Sequence, residues 1–255
     1  MQKKLVIANW KMNPQTFAEA KRLFNGIKKA AGKYTRVKTV VCPPFVFLGD
    51  LAYGYSGRRI LFGSQNIFLE DRGSYTGEIS PLQVKDSGAV YSVIGHSERR
   101  ARGETDADVK SKLALALKHK LVPVLCIGEH ERDHHGKYLA FLRHQISTAF
   151  KGVKPKDMSR VVIAYEPIWA IGKTGSDAIT PKKLHETVLF IRRVLLELYT
   201  KKIAFDVTIL YGGSVEPENT LALFEEGTVQ GFLVGHASLS AESFGRILEI
   251  VNGAK

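Results

Sequence analysis

Eight short apolar runs alternate with longer amphipathic stretches along the whole chain. The strand-like runs lie near Lys4 to Asn9, Val37 to Cys42, Ile60 to Gln65, Ala89 to Ile94, Val122 to Ile127, Val161 to Tyr165, Val207 to Tyr211 and Gly231 to Val234. Helical patterns follow them, for example at Phe17 to Ala31, at Asp106 to Lys120 with Thr105 as N-cap, at Pro181 to Tyr199 and at Ala241 to Val251. This alternation predicts successive βα units and a parallel sheet.

Eight such units in 255 residues match the size and order of a (β/α)₈ barrel, an α/β fold in which helices surround eight parallel strands. A doubly wound open sheet is the rival fold, but its first turn usually carries glycines that bind a nucleotide. Here that turn reads Asn9-Trp10-Lys11-Met12-Asn13, without glycine. No linker-like tract divides the chain, so we expect residues 1–255 to form one domain.

The formal net charge of +12 is compatible with nucleic acid, an anionic membrane or a small anionic substrate. Lysines and arginines are spread along helical stretches and form no known nucleic-acid motif, so we expect neither nucleic acid nor membrane as a partner. The apolar run at Leu5 to Ala8 is too short for a signal peptide. Cys42 and Cys126 end strand-like runs and suit small buried thiols. We therefore expect a cytoplasmic protein.

Potential catalytic side chains occur where three of these strands end. Barrel enzymes place their chemistry there, which favours Glu166 as a general base. His96 is predicted to open a helix, whose dipole disfavours imidazolium, so that a neutral ring donates a hydrogen bond to a carbonyl oxygen. Lys11 is a candidate cation for an anionic substrate, with Asn9 as its polar neighbour and Glu98 as an ion-pair partner. Each residue alone also has an ordinary structural explanation, and the case rests on their combination.

Three glycine-bearing turns add candidate anion sites, two of them after strands seven and eight. They contain Gly172, Ser214, Gly235 and His236. Backbone N–H groups in such turns can converge on a phosphate, and barrels frequently bind phosphate at the last two loops. Such turns are also common simply as tight turns.

One motif indicates a different chemistry. His130-Glu131-Arg132-Asp133-His134 matches H-E-x-x-H, in which two histidines bind zinc. The charged residues between the histidines and the following Gly136 instead favour an exposed helix face interrupted by a glycine, so we expect no metal. A zinc hydrolase and a catalytically silent barrel are the alternative hypotheses.

The combined motifs resemble those of the triosephosphate isomerase family along nearly the full chain. The matching segments are Asn9 to Asn13, Cys42 to Phe45, Tyr75 to Ser80, Ile94 to Arg100, Cys126 to Glu129, Tyr165 to Gly172 and Tyr211 to Val215. The resemblance implies a TIM barrel that interconverts glyceraldehyde 3-phosphate and dihydroxyacetone phosphate through an enediolate, without cofactor or metal.

The family's own pairing of a glutamate base with a neutral histidine implies these roles for Glu166 and His96. Lys11 and Asn9 would stabilise the developing negative charge, and backbone N–H groups of Gly172, Ser214, Gly235 and His236 would hold the phosphate. The resemblance also implies a closing lid with Glu129 and Tyr211 as partners of its open and closed forms. The lid comprises Pro167, Ile168, Trp169, Ala170, Ile171, Gly172, Lys173, Thr174, Gly175 and Ser176.

The family is typically a homodimer in which the loop after strand three enters the neighbouring subunit. Here that loop runs from Asn66 to Glu78, and Thr76 would approach Lys11 of the other chain. Its apolar residues, including Phe68 and Tyr75, agree with a buried contact, although a loop packed within one chain is the alternative.

This sequence departs from the family pattern in three places. Gly235-His236 stands where the family usually has Gly-Gly, and the imidazole either obstructs a phosphate or, when protonated, attracts it. The lid reads Lys173-Thr174-Gly175 after its first glycine where Thr-Gly-Lys is usual. The turn from Arg100 to Asp106 is slightly shorter than the common pattern.

Overall fold

The computed structural model describes residues 4–133, 135–172 and 178–254, and within them eight parallel strands close into a barrel. The strands are β1 Lys4–Asn9, β2 Val37–Cys42, β3 Ile60–Ser64, β4 Ala89–Ile94, β5 Val122–Ile127, β6 Val162–Tyr165, β7 Thr208–Tyr211 and β8 Gly231–Val234. Each strand pairs with the next in sequence, and β1 pairs with β8 from Leu5 opposite Gly231 to Ala8 opposite Val234. The predicted (β/α)₈ barrel is therefore confirmed.

Helices follow every strand. They are α1 Phe17–Lys33, α2 Phe45–Tyr53, α3 Pro81–Asp86, α4 Ser97–Arg100, α5 Asp106–Lys118, α6 Lys137–Phe150, α7 Pro181–Leu198, α8 Lys201–Asp206, α9 Pro217–Glu225 and α10 Ala241–Gly253. Short 3₁₀ helices occur at Pro155–Arg160, Ile168–Ala170 and His236–Leu239. No helix among the described residues is long and apolar enough to cross a membrane.

The predicted helix starts coincide with capping side chains. Thr105 caps α5 as expected, because its hydroxyl accepts from the N–H of Asp108 while the Asp108 carboxylate accepts from the N–H of Thr105. Thr180 caps α7, whose first residue is Pro181. Ends are less accurate: α5 stops two residues before Lys120, and β3, β6 and β7 are each one residue shorter than predicted. Terminal residues depend on backbone pairing with neighbours, which sequence patterns do not report.

Strand alternation divides the buried side chains into two layers. Inward-facing residues fill the barrel, among them Leu5, Ile7, Val124, Cys126 and Ala164. The intervening residues pack outward against the helices. Side chains two residues apart share a face, so Asn9 continues the inward series of β1 and Glu166 that of β6. The strand period therefore directs both side chains toward the barrel axis at its carboxyl end.

The zinc-like segment does not form the helix face that we predicted. Residues 130–133 lie in an irregular loop after β5, and α6 begins only at Lys137. The Asp133 carboxylate accepts hydrogen bonds from the N–H groups of His135, Lys137 and Tyr138. Asp133 thus accepts from otherwise free N–H groups at the start of α6. It lies before that helix and is not part of one. His134 lies outside the described residues.

Candidate active site

Glu166 directly follows β6 and extends its backbone ladder. Its N–H donates to the carbonyl of Ile127 at 2.8 Å, and its side chain is 2% exposed. Two glycines leave room for it: a Cβ on Gly128 would lie 1.8 Å from the Glu166 carbonyl oxygen, and one on Gly212 would lie 2.9 Å from Glu166 Cγ. A larger residue at Gly128 would displace the backbone of Glu166, and one at Gly212 would displace its side chain.

His96 precedes α4 and caps it, as the sequence predicted. Its Nδ1 atom accepts a hydrogen bond from the backbone N–H of Glu98 at 3.1 Å. An accepting ring nitrogen carries no proton, so the geometry assigns a neutral imidazole with its proton on Nε2. Nε2 lies 3.3 Å from Oε1 of Glu166. The two predicted catalytic side chains are thus adjacent.

The two carboxylate oxygens of Glu166 have different surroundings. Oε2 accepts a hydrogen bond from the backbone N–H of Ser97 at 3.1 Å. Oε1 is close to the His96 ring but makes no hydrogen bond of acceptable geometry with any described residue. A buried carboxylate oxygen without a donor costs free energy, and it is free to accept a proton from a bound molecule.

Cys126 lies beneath this carboxylate at the end of β5. Burial, together with the negative charge of Glu166, raises the pKa of the Cys126 thiol well above its usual range. Burial also raises the pKa of Cys42. Both thiols are free, as expected. They therefore remain protonated and serve as small packing groups rather than nucleophiles.

Lys11 adopts a backbone conformation that is rare for a residue with a side chain, with φ at 53°. Local hydrogen bonds hold this conformation. The Lys11 N–H donates to Oδ1 of Asn9 at 3.1 Å, and Nε2 of Gln65 donates to the Lys11 carbonyl at 2.8 Å. Asn9 is 5% exposed and thus acts here as the support of the Lys11 turn. The side chain of Lys11 is consequently aimed from a fixed point.

The Lys11 ammonium pairs with Glu98, as the sequence suggested. Nζ of Lys11 lies 2.6 Å from Oε1 of Glu98. Partial burial acts to raise the pKa of Glu98, but the hydrogen bond and positive charge of Lys11 outweigh it and the pKa is lowered. The pair is partly exposed and contributes little to stability. The ion pair nevertheless holds the Lys11 ammonium beside the turn that contains His96.

One cavity of about 870 Å³ joins the predicted residues. Those of its lining residues that the sequence singled out are Asn9, Lys11, His96, Glu166, Gly172, Ser214, Gly235 and His236. Glu98 does not line it but contacts Lys11. The cavity holds a base candidate, a neutral hydrogen-bond donor and a cation side by side, which is the equipment for moving a proton at carbon beside a carbonyl.

The first part of the predicted lid is anchored by Glu129, whose side chain is 2% exposed. Its Oε1 accepts from the indole N–H of Trp169 at 2.9 Å and from the hydroxyl of Tyr165 at 2.8 Å. Burial and the Glu129 charge raise the pKa of Tyr165, so the hydroxyl stays a donor. Arg132 supplies the positive charge that balances Glu129, since its Nε atom lies 3.6 Å from Oε1 of Glu129.

Gly172 is the last residue of the predicted lid that the structure describes, and it contacts the loop after β7. Its N–H donates to Oγ of Ser214 at 2.8 Å, and that hydroxyl donates to the Ala170 carbonyl at 3.2 Å. Gly172 has φ at 73°, a conformation that favours glycine. Tyr211 underlies this loop, since its hydroxyl passes close to Gly213. The predicted lid residues Lys173, Thr174, Gly175 and Ser176 lie outside the described residues.

The loop after β3 divides between internal packing and exposure. Ile67 is buried within its own chain, and the rings of Phe68 and Tyr75 contact each other at 4.6 Å between centroids. Tyr75 is 45% exposed, and Thr76 is also exposed. The base of the loop therefore packs within its own chain, which was the alternative to a dimer contact, while the tip of the loop is exposed.

Sequence reasoning did not assign four contacts of this site: those of Ser97, Cys126 and Gly212 with Glu166, and that of Arg132 with Glu129. The signal for Ser97 was its position next to His96, and the signal for Gly212 was its position directly after β7. Arg132 was visible only as part of the zinc-like motif. Among the described residues, no group of three or more histidine, cysteine, aspartate or glutamate side chains is arranged to hold a metal ion.

Comparison with known proteins identifies a family. The family model described as Triosephosphate isomerase matches residues 4–251. A protein named triosephosphate isomerase from Caldanaerobacter subterraneus subsp. tengcongensis is 44% identical over 250 residues, covering 97% of this chain and 99% of its own. One of the same name from Thermoanaerobacter pseudethanolicus is also 44% identical with the same coverage. A third, from Alkaliphilus metalliredigens, is 41% identical over 254 residues, covering 99% of this chain and 100% of its own.

Proposed function

Because the chain belongs to the triosephosphate isomerase family, we propose that it interconverts dihydroxyacetone phosphate and glyceraldehyde 3-phosphate through an enediolate. The observation that carries the proposal is the 3.3 Å approach of Glu166 Oε1 to His96 Nε2 in a cavity that also contains Lys11. An aldose–ketose isomerisation needs a base at carbon and a donor at oxygen within reach of one substrate.

In the proposed mechanism, the Glu166 carboxylate removes a proton from one carbon and returns it to the neighbouring carbon. Nε2–H of His96 donates a hydrogen bond to the carbonyl oxygen. The same ring nitrogen passes a proton to that oxygen and takes one from the neighbouring hydroxyl, so that the carbonyl becomes the hydroxyl and the hydroxyl becomes the carbonyl. Lys11 and Asn9 stabilise the negative charge that develops on oxygen. General-base catalysis typically contributes about 10²- to 10⁴-fold in rate.

The substrate phosphate would lie against the backbone N–H groups of Gly172, Ser214, Gly235 and His236. These four residues line the same cavity as Glu166, on its β6, β7 and β8 loops. The lid that begins at Pro167 would close over the substrate and exclude water, which limits loss of phosphate from the enediolate. The hydrogen bond from Gly172 to Ser214 supports contact between the lid and the phosphate loop.

The test is an assay of triose phosphate interconversion with a chelator present, beside the variant Glu166→Gln. We expect fast turnover in the parent and a loss of about 10³-fold or more in the variant, because Gln keeps the shape but removes the base. Glu186→Gln is the matched control, since Glu186 is exposed on α7 and lies outside the cavity. An inactive parent would favour the silent barrel, and loss of activity with chelator alone would favour a zinc enzyme.

We also propose that the protein is a single-domain cytoplasmic homodimer, joined through the loop after β3 with Thr76 near Lys11 of the partner. Exposed apolar side chains support the contact at both of its ends: Tyr75 is 45% exposed and Met12, next to Lys11, is 84% exposed. The pairing of β1 with β8 supports one domain, and the two free buried thiols support a reducing compartment. Light scattering of the parent and of Thr76→Arg tests the dimer. We expect the mass of a dimer for the parent and a lower mass for the variant, and the same mass for both proteins would contradict the proposed contact.

A further inference from the structure

The cavity proposed to bind a phosphate ester has few positive groups among its described residues. Its charged lining side chains are Lys11, Glu166, Glu216 and Glu218, and its histidines are His96 and His236. His96 is neutral, since its Nδ1 accepts a hydrogen bond. Lys11 is therefore the one permanent cation in the described part of the lining, against three carboxylates. One more positive group would add to the attraction that Lys11 and the backbone N–H groups of the phosphate loops exert on a dianionic ligand.

Lys11 is itself partly neutralised, because its ammonium lies 2.6 Å from Oε1 of Glu98. The side chain of Lys11 also approaches the loop after β8. A Cβ placed on Gly235 would lie 3.3 Å from Cε and 3.8 Å from Nζ of Lys11. His236 is the next residue after Gly235, lines the same cavity and is exposed. His236 therefore lies at the rim of the cavity, one residue after the glycine that the Lys11 side chain approaches.

We propose that His236, in its protonated form, is a second cation for the substrate phosphate and makes anion affinity rise as pH falls. The proposal rests on the proposed function, whose phosphate loops include His236. Histidine is the side chain that changes charge between about pH 5 and 8, so its contribution is conditional where that of Lys11 is permanent. His236 would therefore act on substrate affinity and not on the proton transfer at Glu166.

The groups that share the cavity decide the sign of the effect. Glu216 and Glu218 at the start of α9 and Glu166 after β6 place negative charge in the cavity, whereas Lys11 after β1 places positive charge there. A bound dianion adds further negative charge to the cavity. Binding of an anion and protonation of His236 therefore strengthen each other, and each must increase the other's affinity by the same factor.

Sulfate is the sharpest probe, since it stays dianionic over this range while phosphate esters titrate near pH 6. Sulfate dissociation constants are measured by calorimetry at about pH 6 and about pH 8 for the parent and for His236→Gln. Glutamine keeps a polar side chain of similar reach but cannot be charged. We expect sulfate binding by the parent to tighten between the two pH values by about 3- to 5-fold more than binding by His236→Gln, the effect of one added ion pair at a partly exposed site.

A second variant, His236→Gly, tests the opposite possibility that the ring obstructs the anion. Tighter sulfate binding by His236→Gly at the higher pH would overturn the proposal, and so would equal pH dependence in parent and His236→Gln or no sulfate binding at all. In triose phosphate assays His236→Gln should raise KM more at about pH 6 than at about pH 8. Sulfate binding requires no turnover, so an inactive parent contradicts the proposed function while the sulfate comparison still decides the role of His236.

Discussion

The Nδ1 atom of His96 accepts a hydrogen bond from the backbone N–H of Glu98 at 3.1 Å. This contact lies within a single turn, because His96 is the N-cap of the short helix α4. It leaves the proton on Nε2, which lies 3.3 Å from the Glu166 carboxylate in the cavity. The local backbone thus selects the ring nitrogen that can donate to a substrate oxygen.

His96→Gln removes the ring donor but keeps a polar side chain. We expect kcat for triose phosphates to fall by about 10²- to 10³-fold, as when one oriented donor to a developing oxyanion is lost, with a smaller change in KM. Steady-state kinetics measure the loss, and nitrogen NMR of the parent should show an unprotonated Nδ1. A protonated Nδ1 at neutral pH would contradict the assigned tautomer.

Arg132 should stabilise the lid anchor by balancing the buried charge of Glu129. Arg132→Met leaves that carboxylate without its cation and also removes the stacking of the guanidinium on Trp169, whose ring centroid lies 5.8 Å away. We expect the free energy of unfolding to fall by about 3 kcal/mol, because an uncompensated buried charge is costly. Urea denaturation measures the change.

The double variant Arg132→Met with Glu129→Gln provides the control for this prediction. Glutamine still offers an oxygen to the Trp169 indole and the Tyr165 hydroxyl but carries no charge. We expect it to recover roughly half of the lost stability, as coupled charges do in a double-mutant cycle. Strict additivity of the two substitutions would show that the ion pair is not what holds the anchor.

Gly212→Ala should displace the base without unfolding the barrel. The added Cβ would lie 2.9 Å from Cγ of Glu166, closer than side-chain carbons approach. We expect kcat to fall by about 10- to 100-fold, since small displacements of a reacting group cost that much. Gly32→Ala on α1 is the matched control, because its Cβ meets nothing within 4 Å. Equal kinetics for both variants would contradict the steric role of Gly212.

Asp71 should make stability depend on pH in the acidic range. Hydrogen bonds from Lys118 and His119 hold the pKa of Asp71 below its usual value; Nε2 of His119 lies 2.6 Å from Oδ1. A depressed folded-state pKa stabilises the fold above the unfolded pKa, about 3.9 for aspartate, and this contribution is lost as pH falls through the folded value. Denaturation at about pH 6 and about pH 3 should therefore show a smaller decrease for Asp71→Asn than for the parent.

Asp50→Asn is the comparison for this prediction, since Asp50 is an exposed aspartate on α2. It should show the parent's pH dependence. An Asp71→Asn variant as sensitive to acid as the parent would mean that the contacts of the β3 loop with Lys118 and His119 do not persist in solution.

The sequence by itself determined the order of the elements and most of the functional residues. The eight strands form where apolar runs predicted them, because a strand buried on both faces must be apolar and short. Asn9 and Glu166 were identifiable because the period of a strand directs the last residue of β1 and the first residue after β6 into the barrel mouth. His96 is out of phase with the inward residues Tyr91 and Val93, and it was identifiable by its place in the turn between β4 and α4. Thr105 was identifiable as a cap because its partner Asp108 is three residues away.

Only the tertiary structure decided the contacts between distant segments. Arg132 belonged in sequence to a motif typical of zinc sites, yet it lies against Glu129 and Trp169 because the β5 loop folds over the start of the lid. Ser97 donates to Glu166 across 69 positions of sequence. The charges that the described lining places in the cavity with His236 likewise come together only where the loops after five strands meet. Local patterns report hydrogen bonding and hydrophobicity within a few residues, whereas a site joins side chains by the closure of the barrel, and that closure is a property of the whole chain.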